Sequence, residues 1–262
     1  MLNFDKYLQT KFIGRNVVAR ENIPSTNDLA KKLAADNAPD GTIVIADEQS
    51  AGRGRLNRGW YSPKGGGLWF TLILRPGDFV VPADAAKFTL LTAVAVVFAM
   101  QKFSLTAKIK WPNDILFDGK KLVGILTEMS ATDERINYII VGAGINVNIV
   151  ADDFPTEIAQ IATSLSVMNG APLNEEKFLA AFLAEFEKLY FTVKQEGAFA
   201  SVLNKWREHS ATLGNEVNVI GVGETFAGVA EDIDNDGALL VRTAAGLRKV
   251  LAGDVSVRSR RN

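Results

Sequence analysis

The 262-residue chain has no cysteine and a single histidine, His209. The first absence removes disulfides, thiolate metal ligands and a cysteine nucleophile together, and it fits a reducing compartment. The second excludes a metal site built from several imidazoles, and any Ser-His-Asp triad would have to use His209. No evident acid–base partner accompanies that residue, so it reads as structural. An excess of one charge is missing too. Lys and Arg number 29 against 30 Asp and Glu, for a net charge of -1. General DNA coating needs many phosphate-neutralising cations, so this balance argues against it. No apolar run reaches membrane length: residues 88–103 are interrupted by Thr89, Thr92, Gln101 and Lys102 and read as a buried helix. The first residues, MLNFDKYLQT, lack the apolar core of a signal peptide. A cytoplasmic protein is expected.

What is present is the composition of a globular protein, 47% hydrophobic and 23% charged. The length suits one large domain, or one plus a small one, with a sizeable core. Residues 5–12 have weak helical character. Strands are predicted over 16–23, 42–47, 68–74, 108–111, 115–117, 122–129 and 137–148. Helices are predicted over 28–35, 82–103, 173–194 and 199–209. The face of Phe178, Phe182, Phe186 and Leu189 has helical spacing and reads as core. Asp118-Gly119 marks a hairpin. After Gly214 come five short alternating strands, 216–220, 224–233, 238–242, 247–251 and 255–258, separated by Gly, Asn and Asp. They suggest a small barrel. The chain divides into residues 1–212 and 213–262, and the larger part is mixed α+β with hairpin pairing rather than regular βαβ alternation.

Three clusters carry chemistry. AGRGRLNRGW, Ala51 to Trp60, holds three glycines and three arginines. Gly52-Arg53-Gly54-Arg55 lets a backbone approach a ligand and offers forked donors for phosphate or carboxylate. A solvated loop is the plain alternative. Lys110-Trp111-Pro112-Asn113-Asp114 combines a cation, an aromatic, a fixed turn, an amide and a carboxylate. A hairpin brings Lys121 back beside it; an ordinary turn with a packed Trp is the alternative. Gly142-Ala143-Gly144-Ile145-Asn146 lies in an apolar strand, where glycine marks close approach by a ligand or another backbone. It lacks the G-x-G-x-x-G spacing of a dinucleotide site, and a bulge in a packed sheet is its alternative.

In order and spacing, Ser25-Thr26-Asn27, Gln49 with GRGR, KWPND followed by KLVGIL, and GAGIN resemble the biotin protein ligases, the biotin–[acetyl-CoA-carboxylase] ligases. The resemblance covers essentially the whole chain. It implies a mixed-sheet catalytic domain of the biotin/lipoate ligase type with a small C-terminal SH3-like β-barrel. It implies formation of biotinyl-5′-AMP from biotin and ATP with Mg²⁺, then transfer of biotin to a lysine of a biotin carboxyl carrier protein domain, without a tightly bound prosthetic group, DNA or a membrane. Ser25, Thr26, Asn27 and Gln49 correspond to the site of the biotin ureido head, whose two N–H donors and one carbonyl suit those side chains. Gly52, Arg53, Arg55, Gly124 and Gly142 complete the biotin site, and Lys121 meets the biotin carboxylate. Arg55, Arg58, Trp60, Lys110, Asn113, Lys121, Asn146 and Arg258 are the adenylate residues, with Gly144 leaving room. Arg53, Lys121 and Asp114 are the catalytic candidates. Asp114 either orients or deprotonates the acceptor lysine, or it or Asn113 assists Mg²⁺.

Only 24 residues precede Ser25, too few for the winged helix-turn-helix of repressor-type members, so the short monofunctional form is expected. Leu56-Asn57 stands where some relatives have a more basic, Gly-containing loop that contributes to dimerisation, which leaves a homodimer open. Three rivals are weighed against the ligase. A lipoate ligase or octanoyltransferase would not need the Ser/Thr/Gln cluster. A non-catalytic sensor would not need Lys121 and the Arg loop. A nucleic-acid module would want a basic balance and stacking aromatics.

Overall fold

Residues Gly67–Leu74, GLWFTLIL, are buried at every position. A strand covered on both faces needs apolar residues throughout rather than alternation, and this one has them. It is the third strand of a computed structural model that describes residues 2–221, 224–252 and 256–259.

Along the chain come β1 (Val17–Ile23), α1 (Thr26–Ala35), β2 (Thr42–Gln49), β3 (Gly67–Leu74) and α2 (Lys87–Gln101). β4 (Lys108–Lys110), β5 (Asp114–Phe117), β6 (Lys120–Ala131) and β7 (Ile136–Asn146) follow. Three helices come next, α3 (Leu165–Asn169), α4 (Glu175–Glu196) and α5 (Ala200–Glu208). The chain closes with β8 (Glu216–Ile220), β9 (Thr225–Ile233), β10 (Leu239–Thr243), β11 (Gly246–Val250) and β12 (Ser256–Ser259).

The first seven strands form one sheet in the order β1-β2-β3-β7-β6-β5-β4. β1 and β2 are parallel, joined through α1, and the other neighbours are antiparallel. Side chains alternate across a strand. Leu68, Phe70 and Leu72 therefore enter the main core beneath α2 and α4, where Phe70 meets Phe182 at 5.2 Å between ring centroids. Trp69, Thr71 and Ile73 face the other side, where Ile73 packs on Ala30 and Ala34 of α1. α2 is buried almost all round, as a helix without a polar face must be. Phe178, Phe182, Phe186 and Leu189 of α4 are core, as their spacing predicts. No helix among the described residues is long and apolar enough to cross a membrane.

Several predicted elements differ. The expected helix 82–103 is a 3-10 turn at Pro82–Asp84 followed by α2 from Lys87. Proline lacks an N–H and suits the first position of a short turn. Beyond α2 the chain closes at Ser104, in the left-handed region at φ 59°. Residues 5–12 contain only the 3-10 turn Asp5–Tyr7. The strand predicted over 137–148 ends at Asn146, and helix α3 and the irregular stretch 149–164 before it have no counterpart in the sequence reading. The last five strands form an antiparallel sheet in the order β11-β10-β9-β8-β12. This antiparallel sheet is the small C-terminal β domain expected, and its end strands do not pair with each other among the described residues.

Trp111 ties that sheet to the larger one. Its N–H donates to Thr212 Oγ1 at 2.8 Å and its Nε1 to the Gly237 carbonyl at 3.0 Å. Arg207 of α5 adds Nε to Asp232 at 2.7 Å.

Candidate active site

Strand register builds the floor of the cleft. Gly124 of β6 stands opposite Gly144 of β7, and Leu126 opposite Gly142. On the other side β3 sets Trp69 opposite Gly144 and Thr71 opposite Gly142. The three glycines thus open the sheet face on which α1 rests. A Cβ at Gly142 would collide with the Asn27 amide. A Cβ at Gly144 or Gly124 would collide with the Trp60 indole. GAGIN is therefore a strand with its side chains left off beneath two neighbours, not a loop and not a bulge.

Lys121 reaches the same face through an irregularity. Ile115 pairs with Val123, but the next residue, Leu116, pairs with Lys121. The extra residue is Leu122, a β-bulge that reverses the alternation. Leu122 and Val123 both enter the core, and Lys121 comes round beside Gly124. Its backbone is clamped as well, by N–H to the Ile161 carbonyl at 2.6 Å and by Thr163 N–H at 2.9 Å. The Lys121 Nζ lies 2.7 Å from Asp114 Oδ1 and 5.1 Å from the Trp60 ring centroid.

One side of Trp60 and Lys121 is a small polar chamber. Ser25, Thr26, Gln49 and Gly142 line it, and about 30 Å³ remains, room for roughly one water. Thr26 N–H donates to Gln49 Oε1 at 2.8 Å, and Gln49 Nε2 donates to Ser62 Oγ at 3.0 Å. Ser25 takes the N-cap conformation of α1, yet its side chain caps nothing, which leaves the hydroxyl to the chamber. Asn27 is 5% exposed and bonded to Thr71, Leu126 and Glu128. Gly52 lies against Gln49 and Ser62, where a Cβ would not fit.

The other side is cationic. Arg55, Arg58, Lys110 and Lys121 line a cavity of about 90 Å³ together with Asn113 and Asp114. Arg55 Nη1 donates to Asn113 Oδ1 at 3.3 Å, Nη2 reaches the Ala252 carbonyl, and Asn113 Nδ2 donates to the Ile125 carbonyl at 2.9 Å. Arg53 pairs with Asp28 at the start of α1. The buried Trp60 Nε1 has no acceptor among the described residues.

The sequence reading thus brings together Thr26, Gln49, Arg55, Trp60, Asn113, Asp114 and Lys121. It does not bring in Asn146. That side chain is 4% exposed, and its amide donates to the Thr163 carbonyl at 2.9 Å, so it holds the 147–164 stretch instead of lining the cleft. The Arg258 side chain lies outside the described residues; its backbone pairs with Asn218 in the small sheet. No cluster of three or more His, Asp or Glu able to hold a metal occurs among the described residues. His209 packs edge-on against Phe98 at 5.8 Å. Burial, then Lys108 and Lys205, hold its imidazole below the ordinary value, and it takes no part in the cleft. The sequence missed Glu128, Thr71 and the 147–164 clamp.

A mixed sheet thus carries a polar chamber and a cationic chamber that meet at one lysine. Residues 19–146 match the model described as Biotin/lipoate A/B protein ligase family, and residues 212–258 match Biotin protein ligase C terminal domain. The bifunctional ligase/repressor BirA of Bacillus spizizenii is 41% identical over 252 residues, 95% of this chain and 76% of its own length. The biotin–[acetyl-CoA-carboxylase] ligase of Mycobacterium tuberculosis is 32% identical, over 88% of this chain and 85% of its own. The biotin protein ligase of Aquifex aeolicus, solved with biotin and ATP, superposes with a TM-score of 0.80 at 30% identity, covering 94% of this chain and 99% of that one. The chain belongs to the biotin protein ligase family.

Proposed function

We infer that the protein activates biotin with ATP as biotinyl-5′-AMP and transfers the acyl group to a lysine of a biotin carboxyl carrier protein domain. The observation that carries this reading is the position of Lys121, where the chamber of Ser25, Thr26, Asn27 and Gln49 meets a more strongly cationic one. The ureido head matches the hydrogen-bonding groups of the Ser25, Thr26 and Gln49 side, which opens to admit it. The triphosphate fits the Arg55, Arg58 and Lys110 side. The carboxylate that must attack the α-phosphorus then lies at the junction.

In the first step a carboxylate oxygen forms a bond to the α-phosphorus and pyrophosphate leaves. Two anions approach, so fixed cations lower the barrier. Lys121 neutralises the carboxylate, and Arg53 swings from Asp28 to the phosphate of the new acyl–phosphate anhydride. Mg²⁺ enters as part of the ATP substrate. One carboxylate, Asp114, beside phosphate oxygens is the donor set that suits it. In the second step the acceptor amine attacks the acyl carbon and AMP leaves. The amine must be neutral, whereas a lysine is ordinarily protonated. Biotin draws Lys121 away from Asp114, which frees that carboxylate to orient the incoming amine.

The body, 1–212, carries this chemistry, and the small domain, 213–262, adjoins the cationic side through Ala252 and Arg55. The cytoplasm is the proposed location. The test is incubation with ATP, Mg²⁺, labelled biotin and a carrier domain. Label on the carrier is expected. Adenylate without transfer would leave activation alone, and no adenylate would remove the reading.

A further inference from the structure

Glu128 of β6 is a half-exposed carboxylate that lines a surface cavity with Leu126 and the Arg53–Asn57 segment. It lies 101 positions from its partner Asn27, whose Nδ2 donates to Glu128 Oε2 at 2.8 Å. The other Glu128 oxygen takes the Lys31 ammonium. Asn27 Oδ1 in turn lies 2.6 Å from Thr71 Oγ1, and Thr71 Oγ1 lies 2.8 Å from Thr26 Oγ1. Thr71 is fully buried, and Asn27 and Thr26 nearly so.

The direction of each hydrogen bond in this row follows from the first. A carboxylate only accepts, so Asn27 must turn its NH₂ to Glu128 and its oxygen to Thr71. The Leu126 carbonyl, 3.4 Å from the same nitrogen, acts in the same sense more weakly. Thr71 has one proton and must give it to Asn27. Its lone pairs then face Thr26, whose single proton goes to Thr71 or, at 3.1 Å, to Gln49 Oε1. Thr26 is left with lone pairs toward the chamber, as an acceptor for an N–H.

We propose that Glu128 is a positioning residue that sets the donor–acceptor polarity of the head-group chamber through Asn27, Thr71 and Thr26, and so selects a ligand bearing an N–H at that point. This rests on the reading that the chamber takes the ureido head. The row also assigns Lys31 a definite part. In E128Q the single amide oxygen is claimed by the Lys31 cation and the NH₂ turns to Asn27. Asn27 then flips, Thr71 accepts from it and donates to Thr26, and the Thr26 proton is left to Gln49 Oε1 or to the chamber. Either way the chamber loses an acceptor, because Thr71 takes a Thr26 lone pair while the Thr26 proton faces the chamber or occupies Gln49 Oε1. With Lys31 replaced by Met, the same glutamine is free to accept from Asn27, and the original polarity returns.

The experiment is calorimetric titration of biotin into wild type, E128Q, K31M and the E128Q/K31M double variant, with melting midpoints and ATP-saturation kinetics for each. The expected result is binding about tenfold weaker for E128Q, corresponding to about 1.4 kcal/mol. K31M should bind as wild type, and the double variant should recover most of the loss. The KM for biotin should follow these changes, while kcat at saturating biotin and the KM for ATP stay within about twofold. A purely structural role would move the melting midpoint and kcat as well, and would not be rescued by removing Lys31. Thr71→Val, which deletes the middle of the row, should weaken biotin as E128Q does and serves if E128Q fails to fold. Wild-type affinity in E128Q or T71V, or a double variant as weak as E128Q, overturns the proposal while leaving the ligase reading intact. Failure of the wild type to bind biotin would overturn both.

Discussion

The indole of Trp60 occupies the space that a side chain at position 144 would need. Gly142 differs only in what lies above it, the buried Asn27 amide. The two positions therefore predict different outcomes for the same substitution. Gly144→Ala pushes on a side chain carried by the Arg/Gly loop, which can lift away. Its melting midpoint should shift by the equivalent of less than about 1 kcal/mol, while tryptophan emission moves and biotin affinity falls. Gly142→Ala meets a side chain fixed by Thr71 and Glu128. Overpacking of this kind costs roughly 1–3 kcal/mol. Thermal melts and biotin titrations of both variants check this, and equal destabilisation would contradict it.

Lys121 is prepared for the carboxylate by elements far apart in sequence: the Leu122 bulge, the 161–163 backbone clamp and the Asp114 partner. Its Nζ lies 2.7 Å from Asp114 Oδ1, with the two side chains 34% and 19% exposed, so solvent screens part of the ion pair and it contributes on the order of 1 kcal/mol to stability. Its value to the charged transition state is larger, about 2.7–4 kcal/mol for a well-placed donor. Lys121→Met should therefore melt near wild type and lose roughly 10²–10³ in biotin-dependent pyrophosphate release. A rate within about fivefold of wild type would remove Lys121 from the chemistry.

The motifs that carry the site are legible in the sequence because each is local. KWPND ends on a short strand, the hairpin at Asp118-Gly119 returns β6 beside it, and the glycines of GAGIN share one strand face by simple alternation. The rest depends on pairing across distance. Nothing in KLVG marks Leu122 as a bulge, since it holds no Gly or Pro outlier at that position. The 147–164 stretch has no periodicity because backbone bonds to Lys121 and Gly66 hold it. Glu128 reads as a polar residue on a strand until the Asn27 and Lys31 side chains of α1 are brought to it. Asn146 shows the converse: the motif is present, and burial gives its side chain to Thr163.

Arg53 and Asp28 pair across exposed surface, so the contact adds little to stability and costs little to break. That suits a residue that must leave its partner for a phosphate. A mixed anhydride is prone to hydrolysis, and a loop that closes over it excludes water. Arg53→Ala should leave the melting midpoint unchanged and release biotinyl-5′-AMP at least about tenfold faster. Dissociation of labelled adenylate into excess unlabelled ligand measures this. Retention for as long as wild type would assign the lid to other residues.

Glu175 opens α4 beneath the 147–164 stretch, where its Oε1 accepts from Asn148 Nδ2 at 3.1 Å. Asn148 also bonds the Leu173 backbone on both sides, so this carboxyl sits at the joint between β7 and α4. Burial pushes its pKa up from the ordinary 4.5 to about 7, the Asn148 bond opposes the rise, and Asp47 adds to it. Between those two values the folded protein keeps a proton that the unfolded chain has lost. Stability therefore falls as pH rises from about 4.5 to about 7 and levels off above. The side chain is only partly buried, so solvent screening reduces the loss to about 1 kcal/mol. Glu175→Gln keeps the acceptor for Asn148 and removes the titration. Urea midpoints at about pH 5 and about pH 8 should show the wild type losing about 1 kcal/mol more than E175Q over that interval. Equal losses would mean that ionised Glu175 costs the fold nothing, and that the joint between β7 and α4 tolerates a charge.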